Sequence, residues 1–408
     1  MSKAKSLGFS PERLARIDRF LEAKYIAPGR LPGVQFLLAR HGDVVHQSVL
    51  GMADVERRTP LAEDTVFRIY SMTKPVTSVA LMTLVEEGLI ALDDPVARHI
   101  PEFANLGVFV AGAEPAFMTR RPDRPMLVVD LLRHTSGLTY SFQTRSNIDA
   151  AYRKLRLEEF SGSLDLDGMI AALARLPLEF SPGEAWNYSV STDVVGYLVQ
   201  KICGKPLSQV FQERIFGPLK MTETGFFARS DQAARLAACY TATPQGGLKL
   251  QDDPATSPFL APPKLESGGG GLVSTAADYA RFATMLLRGG ELDGARILAP
   301  RTVRLMAANH LPGGADLTQM SRSLFSESTN AGVGFGLGFA VAFDPVRAMI
   351  ASSPGEFYWG GLASTAFWID PVEQVTAVLM TQLMPSSTYA IRRELRTLTY
   401  AALMELQG

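Results

Sequence analysis

Two cysteines in 408 residues, Cys203 and Cys239, are too few and too widely spaced for a disulfide framework or a thiolate metal site. Each is expected to be an inert, partly buried small residue, and a reducing cytoplasm is the expected compartment. The five histidines (41, 46, 99, 134 and 310) are scattered, with no H-x-x-x-H or H-E-x-x-H pair, so no metal and no cofactor are expected. Charge of one sign is also missing. Forty basic residues against 41 acidic ones leave a net charge of −1, which argues against nucleic acid and anionic membranes as partners and suits a small neutral substrate. The longest mostly apolar run, VTSVALMTLV at 76–85, is far too short to span a bilayer. The opening MSKAKSLGFSPERL has basic residues but no apolar stretch, so no secretory signal is read there. Finally, no serine lies in a G-x-S-x-G pentapeptide, which removes the strained elbow of the α/β-hydrolases.

What is present is an ordinary globular composition, 47% hydrophobic and 20% charged, on a chain long enough for a two-lobed unit or two domains. Ser10 followed by Pro11 starts a helix over 11–24. Gly33–Arg40 and Val44–Leu50 flank a HGD turn and predict a hairpin. An extended piece near 65–69 leads into a helix over Met72–Glu87 that stops at Gly88, with Pro75 harmless in its first turn. Apolar residues surround that helix, so it should be central and buried. From about 90 to 270, helical segments such as Val128–Leu132, Leu166–Leu176 and Val194–Ile202 alternate with loops, including AEPAFMTRRPDRP at 113–125, whose arginines read as solvated. Strand-like patterns return at Gly334–Ala342, Thr365–Ile369 and Val375–Met380, and a helix over Thr388–Met404 closes the chain. These predict an α+β fold with an antiparallel sheet assembled from both termini (1–88 and 277–408) and an inserted, mainly helical lobe (89–276).

The stretch FRIYSMTKPV (67–76) places Ser71 and Lys74 three residues apart at a helix start. Positions i and i+3 share a helix face, so hydroxyl and amine can meet. The helix N-terminus leaves the Ser71 N–H free for a developing oxyanion, and a lysine in a dry pocket can serve as base. Alone, S-x-x-K is a weak signal that a capping serine and a solvated lysine explain as well. Two further segments add to it. In EAWNYSVSTDVVGYLVQ (184–200), Tyr188 precedes a helix that Ser189 or Ser191 could cap, and a phenol beside an ammonium ionises more easily. In FYWGGLASTAFWID (357–370), two glycines let a substrate approach the backbone. His134, in LLRHTSGL, reads as a loop residue satisfying backbone groups. Gly268–Gly271 lacks the lysine and flanking elements of a phosphate loop and reads as a tight backbone passage near the cleft.

Ser71-Met72-Thr73-Lys74, Tyr188-Ser189 and Trp359-Gly360-Gly361 stand in the order and spacing of the serine β-lactamase-like enzymes. With DLLRHTSGLTY (130–140), FSPGEAWNYS (180–189), ERIFGPLKMTETGF (213–226), GGGGLVSTAADYARF (268–282) and YWGGLASTAFWIDP (358–371), the chain most closely resembles the family VIII carboxylesterases over about 15–400. Those enzymes share the fold of class C β-lactamases and D-alanyl-D-alanine carboxypeptidases. The resemblance implies Ser71 as nucleophile, and Lys74 and Tyr188 as the pair that takes its proton. It also implies backbone N–H groups of Ser71 and Leu362 as the oxyanion hole, and Trp359, Gly360 and Gly361 at the substrate-binding strand.

Two departures bear on the substrate. The tyrosine element reads Tyr188-Ser189-Val190, without the asparagine that orients a substrate amide in β-lactamases. Trp359 and Gly360 replace the lysine and threonine of their K-T-G element, and an aromatic wall favours uncharged acyl or alcohol groups. The expected activity is therefore a carboxylesterase acting on short- to medium-chain acyl esters as its small-molecule partners. An acyltransferase, a weak β-lactamase or D-alanyl peptidase, and a non-catalytic binding protein of the same fold are the alternatives.

Overall fold

In the computed structural model, residues 3–160, 162–322 and 331–407 are described. Helix α1 (Pro11–Leu21) begins as predicted, the Ser10 hydroxyl accepting from the Arg13 N–H at 3.3 Å. Strands β1 (Gly33–Arg40) and β2 (Asp43–Asp54) form the expected hairpin. Its two-residue turn, His41-Gly42, has positive φ at both positions, the turn whose twist suits paired strands. A short edge strand, β3 (Thr59–Pro60), follows, and its proline sits where an edge tolerates a missing donor.

The carboxy-terminal half completes the same sheet. Strands β4 (Val333–Phe335), β5 (Ala340–Ala342), β6 (Glu356–Gly360), β7 (Ala366–Asp370) and β8 (Val375–Met380) join the first three in the order β4-β5-β6-β7-β8-β1-β2-β3, all antiparallel. The central pairing, β8 on β1, runs from Gln35–Met380 to Arg40–Val375 and brings the two ends of the chain together. Gly334–Ala342, predicted as one strand, is instead two short strands. The Gly336-Leu337-Gly338 segment between them turns the chain, with Gly338 at φ 101°.

Both faces of the sheet are covered, which is why β1 is buried along its whole length. On one face, Val34, Phe36, Leu38, Trp368, Ala377 and Leu379 pack with α1 and the terminal helix. On the other, Phe367, Ile369, Val378 and Met380 pack into the main core, beneath a helix over Ala276–Leu287. Successive strand residues point to opposite faces, so an unbroken apolar strand serves two layers at once.

Helix α2 (Thr73–Glu86) is buried from Thr73 through Leu84, and Gly88 at φ 69° ends it as expected. Against α2 lies α3 (Ser191–Cys203); Val194, Val195, Leu198 and Val199 are buried there. The residue before α3 is Val190, which offers no side-chain cap; the Ser189 hydroxyl accepts from the Ser191 N–H at 3.3 Å in the first turn, and the two hydroxyls meet at 2.7 Å. Helices α4 (Ala276–Leu287) and α5 (Ile391–Ala402) complete the sandwich. The segment predicted as a loop at 113–125 departs from expectation. Val108–Ala113 and Ala116–Arg120 pair as an exposed hairpin, because Phe109 and Phe117 meet edge to face at 6.0 Å and give it an apolar anchor.

Candidate active site

The backbone enters the site under strain. Phe67–Arg68 pairs with Val273–Ser274, and then Tyr70 adopts a left-handed backbone at φ 43°, a conformation costing on the order of 1–3 kcal/mol for a bulky residue. Packing of its ring near Phe160 and Phe259, each at 6.1 Å, holds it there. The chain then makes one 3₁₀ turn, Tyr70–Met72, before α2 begins. Ser71 thus lies just outside the α-helix rather than within it. Its side chain still meets Lys74, whose Nζ donates to Ser71 Oγ at 3.3 Å.

Lys74 is 1% exposed. Its ammonium also donates to the Tyr140 hydroxyl at 2.9 Å and to the Gly269 carbonyl at 2.6 Å, and it sits 4.5 Å from the centre of the Tyr188 ring. The buried Lys74 nitrogen thus has three oxygen partners, as a buried polar group requires. Two of those partners lie outside the residues singled out in the sequence. Tyr140 ends the landmark DLLRHTSGLTY and Gly269 lies in the glycine run, so both were in view without a role. Burial, with Asp193, Tyr188 and Glu158 nearby, holds the Tyr140 phenol well above its ordinary range. The glycine run does pass close to the cleft. A side chain at 269 would place its Cβ 2.4 Å from Asp193 Oδ2 and 2.9 Å from the Tyr140 oxygen.

Tyr188 is 2% exposed, with its ring 5.3 Å from that of Tyr140 and 5.4 Å from that of Trp359. The Trp359 indole N–H donates to the Tyr188 hydroxyl at 3.4 Å. Trp359 is therefore tied to the phenol as well as lining the cleft. Behind Tyr188 stands His134, in a turn as expected, but its ring meets side chains and not the backbone groups expected for it. The ring is 1% exposed, 4.9 Å from the Tyr188 ring, and its Nδ1 lies 3.3 Å from Ser189 Oγ. Ser189, Ser191 and Ser136 continue that contact as a buried chain of hydroxyls, each link 2.7 Å. Burial and the charge on Lys74 hold the imidazole well below its ordinary range, so it stays neutral.

The opposite wall is the end of β6. Gly361 must be small: a Cβ there would lie 2.3 Å from the Ile69 carbonyl oxygen and from Thr365 Oγ1. That contact brings the turn after β6 against the segment carrying Ser71. Arg392 of α5 fastens the turn from behind, donating to Gly361 O at 2.7 Å and Thr365 O at 2.8 Å. Among the described residues, the Leu362 N–H has no acceptor within the chain. Ser71, Tyr188, Trp359, Gly360, Gly361 and Leu362 all line one cavity of about 360 Å³, whose other walls include Tyr70, Phe142, Phe160 and Trp186. Among the named site residues only Lys74 lies beneath the cavity lining, touching it through Ser71 and Tyr140.

The cysteines are free thiols, and Cys239 packs against Tyr70 of the cavity wall. Cys203 is half-buried and Cys239 fully buried, and burial pushes the Cys239 thiol up to about 11. Among the described residues, no helix is long and apolar enough to cross a membrane.

Residues 19–401 match the model of the beta-lactamase family. The chain is 38% identical over 360 residues to Protein Rv1367c of Mycobacterium tuberculosis, covering 88% of this chain and 87% of that one. It is 30% identical over 386 residues to Esterase EstB of Burkholderia gladioli, covering 90% of each. Among solved structures it is similar to EstCE1, described as a hydrolase with promiscuous acyltransferase activity. The TM-score is 0.79 at 27% identity, covering 98% of this chain and 99% of that one. A buried amine on a serine, on an antiparallel sheet built from both termini, agrees with these likenesses: the chain belongs to the beta-lactamase family and is a serine hydrolase.

Proposed function

We propose that this protein is a serine carboxylesterase that hydrolyses short- to medium-chain acyl esters through an acyl-enzyme on Ser71. The observation that carries the reading is the 3.3 Å contact between Lys74 Nζ and Ser71 Oγ at the floor of an aromatic-walled cavity. The ester carbonyl carbon accepts the Ser71 oxygen, and the serine proton passes to the Lys74–Tyr188 pair. The carbonyl oxygen becomes an oxyanion facing the N–H groups of Ser71 and Leu362. Collapse breaks the ester C–O bond, and the alcohol leaves with the proton. Water, deprotonated by the same pair, then attacks the acyl-enzyme and frees the acid and the serine.

The walls support neutral esters as substrates. Val190 stands where β-lactamases carry an asparagine, and Trp359 where they carry the K-T-G lysine, so recognition of an amide and its neighbouring carboxylate is weakened. The likeness to Esterase EstB points the same way. A second reading, acyl transfer, draws on the likeness to EstCE1 and on the same chemistry with an alcohol in place of water.

Turnover of p-nitrophenyl acetate and butyrate tests the proposal. Ser71→Ala should lose on the order of 10⁴-fold or more in kcat, together with all labelling by a fluorophosphonate probe. Undiminished turnover in that variant overturns it. Adding primary alcohols and measuring transesterified product separates transfer from hydrolysis, and nitrocefin reports any β-lactam cleavage.

A further inference from the structure

Asp193 is a carboxylate that the reaction just described does not use. It occupies the first turn of α3, is 3% exposed, and lines the cavity beside Ser267 and Gly269. Its Oδ1 accepts from Ser267 Oγ at 2.5 Å and from the Gly269 N–H at 3.0 Å. The Gly269 carbonyl, on the other side of the same residue, accepts from Lys74 Nζ at 2.6 Å. One glycine thus hangs between an acid and an amine, gripped by both, and any other residue there would have to displace the Asp193 carboxylate, whose Oδ2 would lie 2.4 Å from its Cβ.

We propose that Asp193 is a positioning residue for Lys74: its carboxylate fixes the Gly269 carbonyl on the amine and supplies the counter-charge that the closed site otherwise lacks. The inference rests on the reading of Lys74 as part of the proton-accepting pair. The groups facing the amine are the Ser71 hydroxyl, the Tyr140 and Tyr188 phenols, the neutral His134 ring and Asp193. Glu158 faces Asp193 and Tyr140 from the cavity wall. Of these, Asp193 is the acid whose charge is felt directly with Lys74. Burial raises the Asp193 carboxyl, while Lys74, Ser267 and the Gly269 N–H each act to keep it ionised. An acid in a first helical turn is also good for the helix, so a purely structural role must be told apart from this one.

The discriminating measurement is the pH dependence of kcat/KM for p-nitrophenyl butyrate. Asp193→Asn retains a carbonyl oxygen for both N–H and O–H donors but removes the charge. The limb of the profile that belongs to the amine should move to lower pH by about one unit or more. At the parent's optimum kcat should fall at least about tenfold with KM within about twofold. An unmoved profile with parental kcat overturns the proposal, and so does a fall confined to thermal stability. Ser267→Ala, which loosens the carboxylate without removing it, should move the same limb the same way by a smaller amount. It serves if the asparagine variant fails to fold, and an unmoved limb there counts against the proposal equally. Lys74→Ala is the control on the underlying reading. If it retains turnover, Lys74 is not part of the pair; if it is inactive while Asp193→Asn behaves as the parent, only the role of Asp193 falls.

Discussion

On one side of the cavity, Ser71 and Lys74 come from a single segment, four consecutive residues wound through a 3₁₀ turn into α2. On the other, Tyr140, Tyr188 and Gly269 arrive from three loops separated by tens of residues, and Trp359 with Leu362 from the end of a strand. The first side is set by local geometry, because residues three apart on a turn face the same way. The second exists only when segments far apart in the chain have packed around α2. Ser71 and Lys74 are therefore brought together by the chain itself, whereas the groups that surround them are placed by packing.

Removing the phenols one at a time sharpens that contrast most. Tyr188→Phe should lower kcat by about 10²–10⁴-fold if its hydroxyl moves a proton in the reaction. Tyr140→Phe removes one hydrogen bond to a charged group, worth about 1.5–3 kcal/mol, so kcat/KM should fall by roughly 10–150-fold. Steady-state kinetics of the pair checks the order. A larger loss at Tyr140 would transfer the proton-moving role from Tyr188 to Tyr140.

A smaller effect should follow from filling the close approach at the strand end. Gly361→Ala brings a methyl to 2.3 Å from the Ile69 oxygen, so the turn bearing Leu362 must shift. Overpacking of this kind destabilises by about 1–3 kcal/mol. Urea unfolding should show that loss, and kcat should drop as the Leu362 N–H leaves its place. Parental kcat in a folded Gly361→Ala would mean that the Leu362 N–H plays no part in binding the oxyanion.

The smallest effect is one of pH on stability. Burial, opposed by hydrogen bonds at Ser141 and reinforced by Asp193, raises the Glu158 carboxyl from 4.5 to about 7. The folded state then binds more protons than the unfolded state between those values, so Glu158 destabilises the fold progressively as pH rises from 4.5 through 7. Glu158→Gln removes this term. Its Tm should match the parent's below about pH 4.5 and exceed it above pH 7. Equal Tm values across the whole range would show that the carboxyl is better hydrated than its place in the wall implies.

How much was legible varied with the range of the interactions. The hairpin turn at His41-Gly42, the Ser10 cap, and the stop at Gly88 are local, and each was readable from a few neighbouring letters. The split at Gly336–Gly338 and the hairpin at 108–120 were not, since the first depends on how the sheet edge turns and the second on one aromatic contact. His134 does lie in a turn, but nothing in LLRHTSGL shows that Tyr188, Trp186 and Phe335 close around its ring. Tyr140 was quoted within a landmark, yet a lone tyrosine at a segment's end carries no sign of which amine it will meet. Asp193 was not singled out at all, since an acid in a first helical turn is ordinary.

By itself the sequence determined the alternation that makes a two-faced sheet and the three-residue spacing that joins hydroxyl to amine, because both follow from the pitch of strands and turns. It also contained the glycines without which Gly269 and Gly361 could not be approached so closely. Only the tertiary structure decided which phenol touches Lys74, which carboxylate stands behind it, and that the histidine stays neutral. Those outcomes depend on desolvation and on distances between segments far apart in the chain, and both come into being only when those segments pack together.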